Sequence, residues 1–190
     1  VINGDAREAK PRGKQEVDLI ITSPPYLGAQ KYIRSSSLSL GWLEMSPSSG
    51  LKALEAKCLG REHFRKSEYR EFQPSGLKAA DRILRRVFKI NPLRACLATT
   101  YLREMEAALA HACLQLRPGG HIVLVCSSNT ICGEEFKTHE YLRQLLQSLG
   151  LSERLRLVDE IRSRGLMTRR NKTASVITSE WVYVFQKGTA

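Results

Sequence analysis

The sequence predicts an α/β fold: a mostly parallel, twisted sheet flanked by helices, with one strand reversed near the C-terminus. Three observations carry this. Val17, Leu19, Ile20 and Ile21 form an apolar run of strand length that stops before Pro24 and Pro25. Leu102, Met105, Leu109, Cys113 and Leu116 recur at helical spacing over 100–116, and the apolar run from His121 to Cys126 follows them across Pro118-Gly119-Gly120. From residue 100 onward, apolar strands and amphipathic helices alternate, as they do when helices cover a sheet of parallel strands.

In chain order, Val1 to Glu8 reads as a strand end and a turn, in which Gly4 permits the bend and Asp5 suits a helix cap. Residues 10–16 are a polar connector, and 17–22 is a short strand expected to be buried. Pro24 and Pro25 have no backbone N–H to give, so pairing must end there, with Ser23 and Tyr26 on a stiff frame. Gly28 suggests a loop, and residues 35–45, with Leu38, Leu40, Trp42, Leu43 and Met45, suggest a short helix. Ser46 to Gly50 is a break. The next stretch, 51–95, holds twelve Lys/Arg against five Asp/Glu and so carries +7 of the net +11. Its clearest element is a helix over 77–90, with Leu77, Ala80, Ile83, Leu84, Val87 and Phe88 at helical spacing and Lys78, Arg82, Arg85, Arg86 and Lys89 elsewhere around it. Asn91-Pro92 stops it, and its cations suit either phosphates or plain solvation.

The helix over 100–116, the Pro-Gly-Gly turn and a strand over 120–126 come next. Ser127 to Thr130 then lies at that strand's carboxyl end, and Gly133 opens a loop. Thr138 is expected to cap a helix through Leu149, with Leu142, Leu145, Leu146 and Leu149 inward and Gly150 as the stop. Strands are expected over 155–162 and 176–186, on either side of a basic loop from Arg164 to Asn171.

The segment Ser23-Pro24-Pro25-Tyr26 suits one particular chemistry. An exocyclic amino group on a nucleobase is a poor nucleophile because its lone pair is delocalised into the ring. Two acceptors on its N–H groups draw the nitrogen toward tetrahedral geometry, and the Ser23 hydroxyl and the Pro24 carbonyl are candidates for the pair. A proline pair holds that carbonyl still, so little reorganisation is needed during reaction. Tyr26 offers a flat face for an extruded base. Ligands of parallel α/β sheets bind just beyond such carboxyl ends of strands.

The segment resembles motif IV of the DNA amino-methyltransferases that use S-adenosylmethionine. Its Ser-Pro-Pro-Tyr form is most typical of the cytosine-N4 enzymes; adenine-N6 enzymes more often carry Asp or Asn at the position of Ser23. Gly4-Asp5-Ala6, the stretch after Tyr26, the Leu116-Arg117-Pro118-Gly119-Gly120 turn and the C-terminal Arg loop and strand are similar to this family too, so the likeness covers most of the chain outside 46–95. The resemblance implies a Rossmann-like methyltransferase sheet, with 1–190 a partial catalytic domain and 46–95 a basic helical insertion. It implies catalytic roles for Ser23, Pro24, Pro25 and Tyr26, and cofactor contacts at Asp5 and Thr22. Candidate nucleic-acid contacts are Tyr32, Arg34, Arg82, Arg85, Arg86, Arg164, Arg169, Arg170 and Asn171. For Tyr32 and Arg34 a buried tyrosine beside a surface arginine is an equal alternative, as a helix cap is for Asp5.

One part of the family pattern is absent. The methionine end of the cofactor is held by a Gly-rich turn after a strand, of Phe-x-Gly-x-Gly type, and the 190 residues contain none. Gly119-Gly120 precedes a strand instead. The sheet is therefore expected to lack the strands of its cofactor half, which a missing N-terminal segment or a second polypeptide would supply, and the chain alone is expected to be inactive. Three alternatives stand beside cytosine-N4 methylation of DNA: adenine-N6 methylation, methylation of an RNA base, and an inactive nucleic-acid-binding fragment of such an enzyme. The target sequence and any restriction partner are left open.

Composition sets the outer limits. A net charge of +11 favours a polyanionic partner. The cysteines, Cys58, Cys96, Cys113, Cys126 and Cys132, are odd in number and form no Cys-x-x-Cys pair. That pattern suits reduced thiols in a cytoplasmic protein rather than a disulfide framework. Neither they nor His63, His111, His121 and His139 make metal-ligand spacing, so no metal site is expected.

Overall fold

The computed structural model describes residues 4–8, 16–28, 32–46, 50–61, 63–162 and 177–189. The chain divides into two compact units. The sheet unit comprises residues 1–24 and 102–190, and the helical unit residues 25–101. The division passes between Pro24 and Pro25, through the middle of the Ser-Pro-Pro-Tyr segment.

The main sheet of the first unit has four strands: β1 (Val17–Thr22), β2 (Leu116–Cys126), β5 (Leu151–Glu160) and β6 (Ser179–Lys187), in the order β1-β2-β6-β5. β1 runs parallel to β2, with Leu19 opposite His121 and Thr22 opposite Leu124. β6 is antiparallel to both its neighbours. Three strands therefore point one way and the C-terminal one is reversed. Because the reversed strand lies inside the sheet rather than at its edge, two of the three ladders are antiparallel, which corrects a mostly parallel pairing.

The core is built from β2 and β6, where Ile122, Leu124, Tyr183 and Phe185 are inaccessible to solvent, and from Leu142, Leu145 and Leu146 of α6 (Thr138–Ser148). These positions alternate along the strands and recur at helical spacing along α6, as one buried face of each requires. Gly150 ends the helix region with a φ of +84°, the left-handed conformation glycine adopts without strain. Thr138 does not cap α6. It is the first helical residue, and its hydroxyl donates to the Phe136 carbonyl while Lys137 occupies the cap position.

β1 is not the buried strand its apolar run suggests. It lies at one end of the sheet, and Leu19 is 51% and Ile21 70% exposed. An apolar run reports a capacity for burial, while burial itself depends on what covers the strand.

β2 starts earlier than its apolar run. Val17 pairs with Leu116 and Leu19 with His121, so the Pro-Gly-Gly segment bulges out between two paired points instead of preceding the strand. Arg117 in this bulge forms an ion pair with Asp18 of β1. Gly119 has a φ of +75°, and at Gly120 a Cβ would stand 2.9 Å from the Arg117 carbonyl and from the Leu116 side chain. β3 (Asn129–Ile131) and β4 (Glu134–Phe136) form a hairpin where a loop is expected. Its two turn residues, Cys132 and Gly133, both have positive φ, as a tight two-residue hairpin turn requires.

The helical unit contains α1 (Tyr32–Ser35), α2 (Ser37–Trp42), α3 (Leu51–Lys57), a 3₁₀ turn at Lys66–Tyr69, α4 (Lys78–Ile90) and the start of α5 (Pro92–Gln115). Ala80, Leu84 and Val87 of α4 are buried, as their spacing predicts. Asn91-Pro92 ends α4 and also begins α5: the Asn91 side chain accepts the Arg94 N–H at 3.1 Å, and Pro92 is the first helical residue. The helix expected over 100–116 therefore starts eight residues earlier, at Pro92.

Candidate active site and nucleic-acid surface

β1 and β2 are parallel and in register at Thr22 and Leu124, so the segments leaving them emerge at the same carboxyl edge of the sheet. From β1 come Ser23, which is exposed, and Pro24, which is buried. A buried proline directly after an exposed serine restricts the backbone between them. From β2 come Ser127 and Ser128. Ser127 is tied down, its hydroxyl donating to the Ser179 carbonyl at 3.0 Å. Among the described residues the Ser128 hydroxyl, shielded from solvent, has no hydrogen-bond partner. Ser128 belongs to no motif in the sequence; only burial of its hydroxyl without a partner among the described residues distinguishes it. Thr22 is half-buried at the last paired position of β1.

Asp5 lies in a turn whose backbone closes from Glu8 N–H to the Asp5 carbonyl at 3.0 Å. Its carboxylate accepts the side chain and the backbone N–H of Arg7, and these bonds bring its pKa down to about 2. Arg7 in turn reaches Glu104 of α5 at 2.9 Å. Asp5 is thus an ionised, paired carboxylate in a turn.

Beyond the β2 end, the ring of His139 stacks on Trp181 at 3.8 Å between centroids and 11° between planes. His139 is buried at the start of α6, and burial brings its pKa down to about 4 despite the neighbouring Glu140. Burial likewise pushes the Cys126 thiol up to about 12, so that cysteine is a packing residue and not a nucleophile. Among the described residues no cluster of His, Cys, Asp and Glu could hold a metal ion, and no helix is long and apolar enough to cross a membrane.

Gly119 and Gly120 lie within β2, with Gly120 packed against Leu116, so this glycine pair belongs to a strand and not to a turn that follows one.

In the helical unit, Pro25 and Tyr26 are half-buried and Leu27 is buried. Tyr32 is exposed rather than buried, and so is Arg34. Arg82, Arg85 and Arg86 all lie on the exposed side of α4. The Arg85 guanidinium sits 4.5 Å from the centroid of the Phe72 ring, which packs edge-on against Phe88. That contact gives one of the three arginines a fixed direction. Ser75 is buried and donates both its N–H and its hydroxyl to Asp81, which fixes the first turn of α4. Arg164, Arg169, Arg170 and Asn171 lie outside the described residues.

No family model and no curated protein matches the chain. Among solved structures it is similar to a proposed DNA modification methylase of Thermus thermophilus, at 16% identity and a TM-score of 0.46 over 98% of this chain and 53% of that one. The same methylase complexed with S-adenosyl-L-methionine gives 18% identity and a TM-score of 0.46, over 98% and 54%. The chain spans about half the length of the protein it matches.

Proposed function

We propose that the chain is the base-binding half of an S-adenosylmethionine-dependent DNA amino-methyltransferase, acting on cytosine N4. The observation that carries this is the exit of β1. Ser-Pro-Pro-Tyr leaves the carboxyl end of a strand paired in parallel with β2, with the serine exposed and the first proline buried. Serine at position 23 favours N4 over adenine N6.

On this reading the Ser23 hydroxyl oxygen and the Pro24 carbonyl accept the two N–H groups of the target amine. They bind it more strongly as its nitrogen becomes tetrahedral than while it is planar. Tyr26 stacks on the extruded base. The arginines of α4 hold phosphates of the same DNA.

The methyl donor is brought by a second segment or polypeptide that carries the Gly-rich turn. The uncovered apolar side chains of β1, Val17, Leu19 and Ile21, support this, because they supply a surface for such a partner to cover.

The test is transfer of a labelled methyl group to duplex DNA. The chain alone is expected to be inactive, and activity is expected once the partner segment is present. In that complete enzyme Tyr26→Ala should weaken binding of the extruded base by roughly 1–3 kcal/mol, the worth of one stack. Robust transfer by the chain alone would refute the divided arrangement, and transfer only to RNA would refute the substrate.

A further inference from the structure

Two of the three large apolar side chains of α2 point outward. Leu38 is 84% and Trp42 86% exposed, and Leu43 and Met45 just beyond the helix are exposed too. The Ser36 N–H donates to the Tyr32 carbonyl and the Leu40 N–H to the Ser36 carbonyl, so α1 ends and α2 begins at Ser36, whose φ of −92° and ψ of 4° interrupt the helix. Residues four apart within a helix share a face. Leu38 and Trp42 of α2 therefore form a line of two apolar side chains.

The far end of this line is held firmly. The Glu44 N–H donates to the Gly41 carbonyl at 3.1 Å and the Met45 N–H to the Leu40 carbonyl at 2.9 Å, which together close the helix. Glu44 adopts a φ of +54° to allow this, a conformation that usually falls to glycine. The tryptophan thus stands on a fixed turn.

A surface so apolar is normally covered by something. The charge of the unit that carries it indicates what. Glu44 is the only acidic residue between 26 and 54, and the helical unit as a whole has fourteen Lys/Arg against six Asp/Glu. A polyanion that also presents flat aromatic faces answers both features at once. An indole stacks on any base, and apolar wedges of this kind enter base steps in DNA.

We propose that Trp42, backed by Leu38, inserts into a base step of DNA while Arg34 of the preceding α1 holds a phosphate. The proposal rests on the reading of the chain as a DNA amino-methyltransferase and deepens it. It supplies a side chain to occupy stacking space when a base is extruded.

The experiment is a fluorescence titration of the chain with a short DNA duplex. The protein has two tryptophans, so emission is compared between the native chain and Trp42→Phe, which retains only Trp181. DNA should quench the native emission and leave that of Trp42→Phe nearly unchanged. Trp42→Ala should raise Kd about tenfold, the effect of one lost stack, and Trp42→Tyr should restore most of the affinity. Arg34→Ala should lower the salt slope by about one. All of these positions are exposed, and a thermal melt checks that each variant folds.

Tight DNA binding with unquenched Trp42 and an unchanged Kd for Trp42→Ala would overturn the wedge while leaving the proposed function standing. Failure of the native chain to bind DNA would overturn both. Quenching by RNA alone, by vesicles of anionic lipid, or by self-association without DNA would overturn the wedge in favour of that occupant.

Discussion

The sheet unit and the helical unit differ most in charge and in where they leave apolar groups exposed. The sheet unit has sixteen Lys/Arg against thirteen Asp/Glu, and many of its charges are paired with one another, as in Arg7–Asp5, Arg143–Glu140 and Arg156–Glu153. The helical unit has fourteen against six, too few acids to match its cations. The sheet unit leaves apolar groups bare along its edge strands β1 and β5, whereas the helical unit leaves them bare on α2. On the proposed reading, self-paired charge and an uncovered strand suit a unit completed by more protein, and excess positive charge and an exposed indole suit a unit completed by nucleic acid.

The largest effect that would sharpen this contrast is on turnover. In the complete enzyme, Ser23→Ala should lower kcat by about 10²–10³, as the loss of one preorganised transition-state contact does, with little change in DNA affinity. Equal losses of kcat and affinity would make Ser23 a binding residue only.

A second effect belongs to the sheet unit alone. His139 is held neutral by burial, with its pKa down at about 4 against about 6.5 for a free histidine. The unfolded chain therefore binds this proton more readily than the folded one. The stability gained is complete above pH 6.5 and is lost as pH falls from there toward 4, by roughly 2–3 kcal/mol. Denaturant melts between pH 7 and 4 should show the slope, and His139→Gln should flatten it. An unchanged slope would exclude His139 as its source.

Gly120→Ala should cost about 1–3 kcal/mol, because the new methyl would meet the Arg117 carbonyl at 2.9 Å. Calorimetry reads this directly, and a neutral result would mean that the β2 bulge yields. In the helical unit, Arg82→Ala, Arg85→Ala and Arg86→Ala together should lower the salt slope of DNA binding by about 2–3 and hardly move the melting temperature. An unchanged slope would place α4 away from DNA and break the contrast. The smallest effect is Glu44→Gly, which should stabilise the closure of α2 by about 1 kcal/mol by relieving its positive φ. A destabilised variant would contradict that account.

Much of the fold was legible where one physical signal dominated. The bounds of β1 follow from an apolar run and two prolines, and α4 follows from its spacing and Asn91-Pro92 within a residue. Signals that depend on context were not legible. The apolar content of β1 implied burial, but its place at the sheet edge leaves it open. Pro-Gly-Gly signalled a turn, and pairing on either side of it made a bulge. The β3–β4 hairpin has strands of only three residues each, Asn-Thr-Ile and Glu-Glu-Phe, too short for an alternating pattern to show. In the candidate site, the order Ser-Pro-Pro-Tyr was evident at once, and the parallel pairing of β1 and β2 sets it at the carboxyl edge of the sheet. The lone hydroxyl of Ser128 and the bare indole of Trp42 were not evident, since exposure and partnering are properties of the folded chain.

The bare face of β1 also has a consequence for supply within a cell. A strand at the end of a sheet, carrying Val17, Leu19 and Ile21 in the open, is a template on which other extended chains can build. On the proposed reading, this polypeptide, made in excess over the segment that covers it, would be the half that clumps or is degraded. Its yield as intact protein would then be set by the scarcer partner. On the proposed reading, the two halves are best encoded side by side and translated together, so that neither waits long for the other.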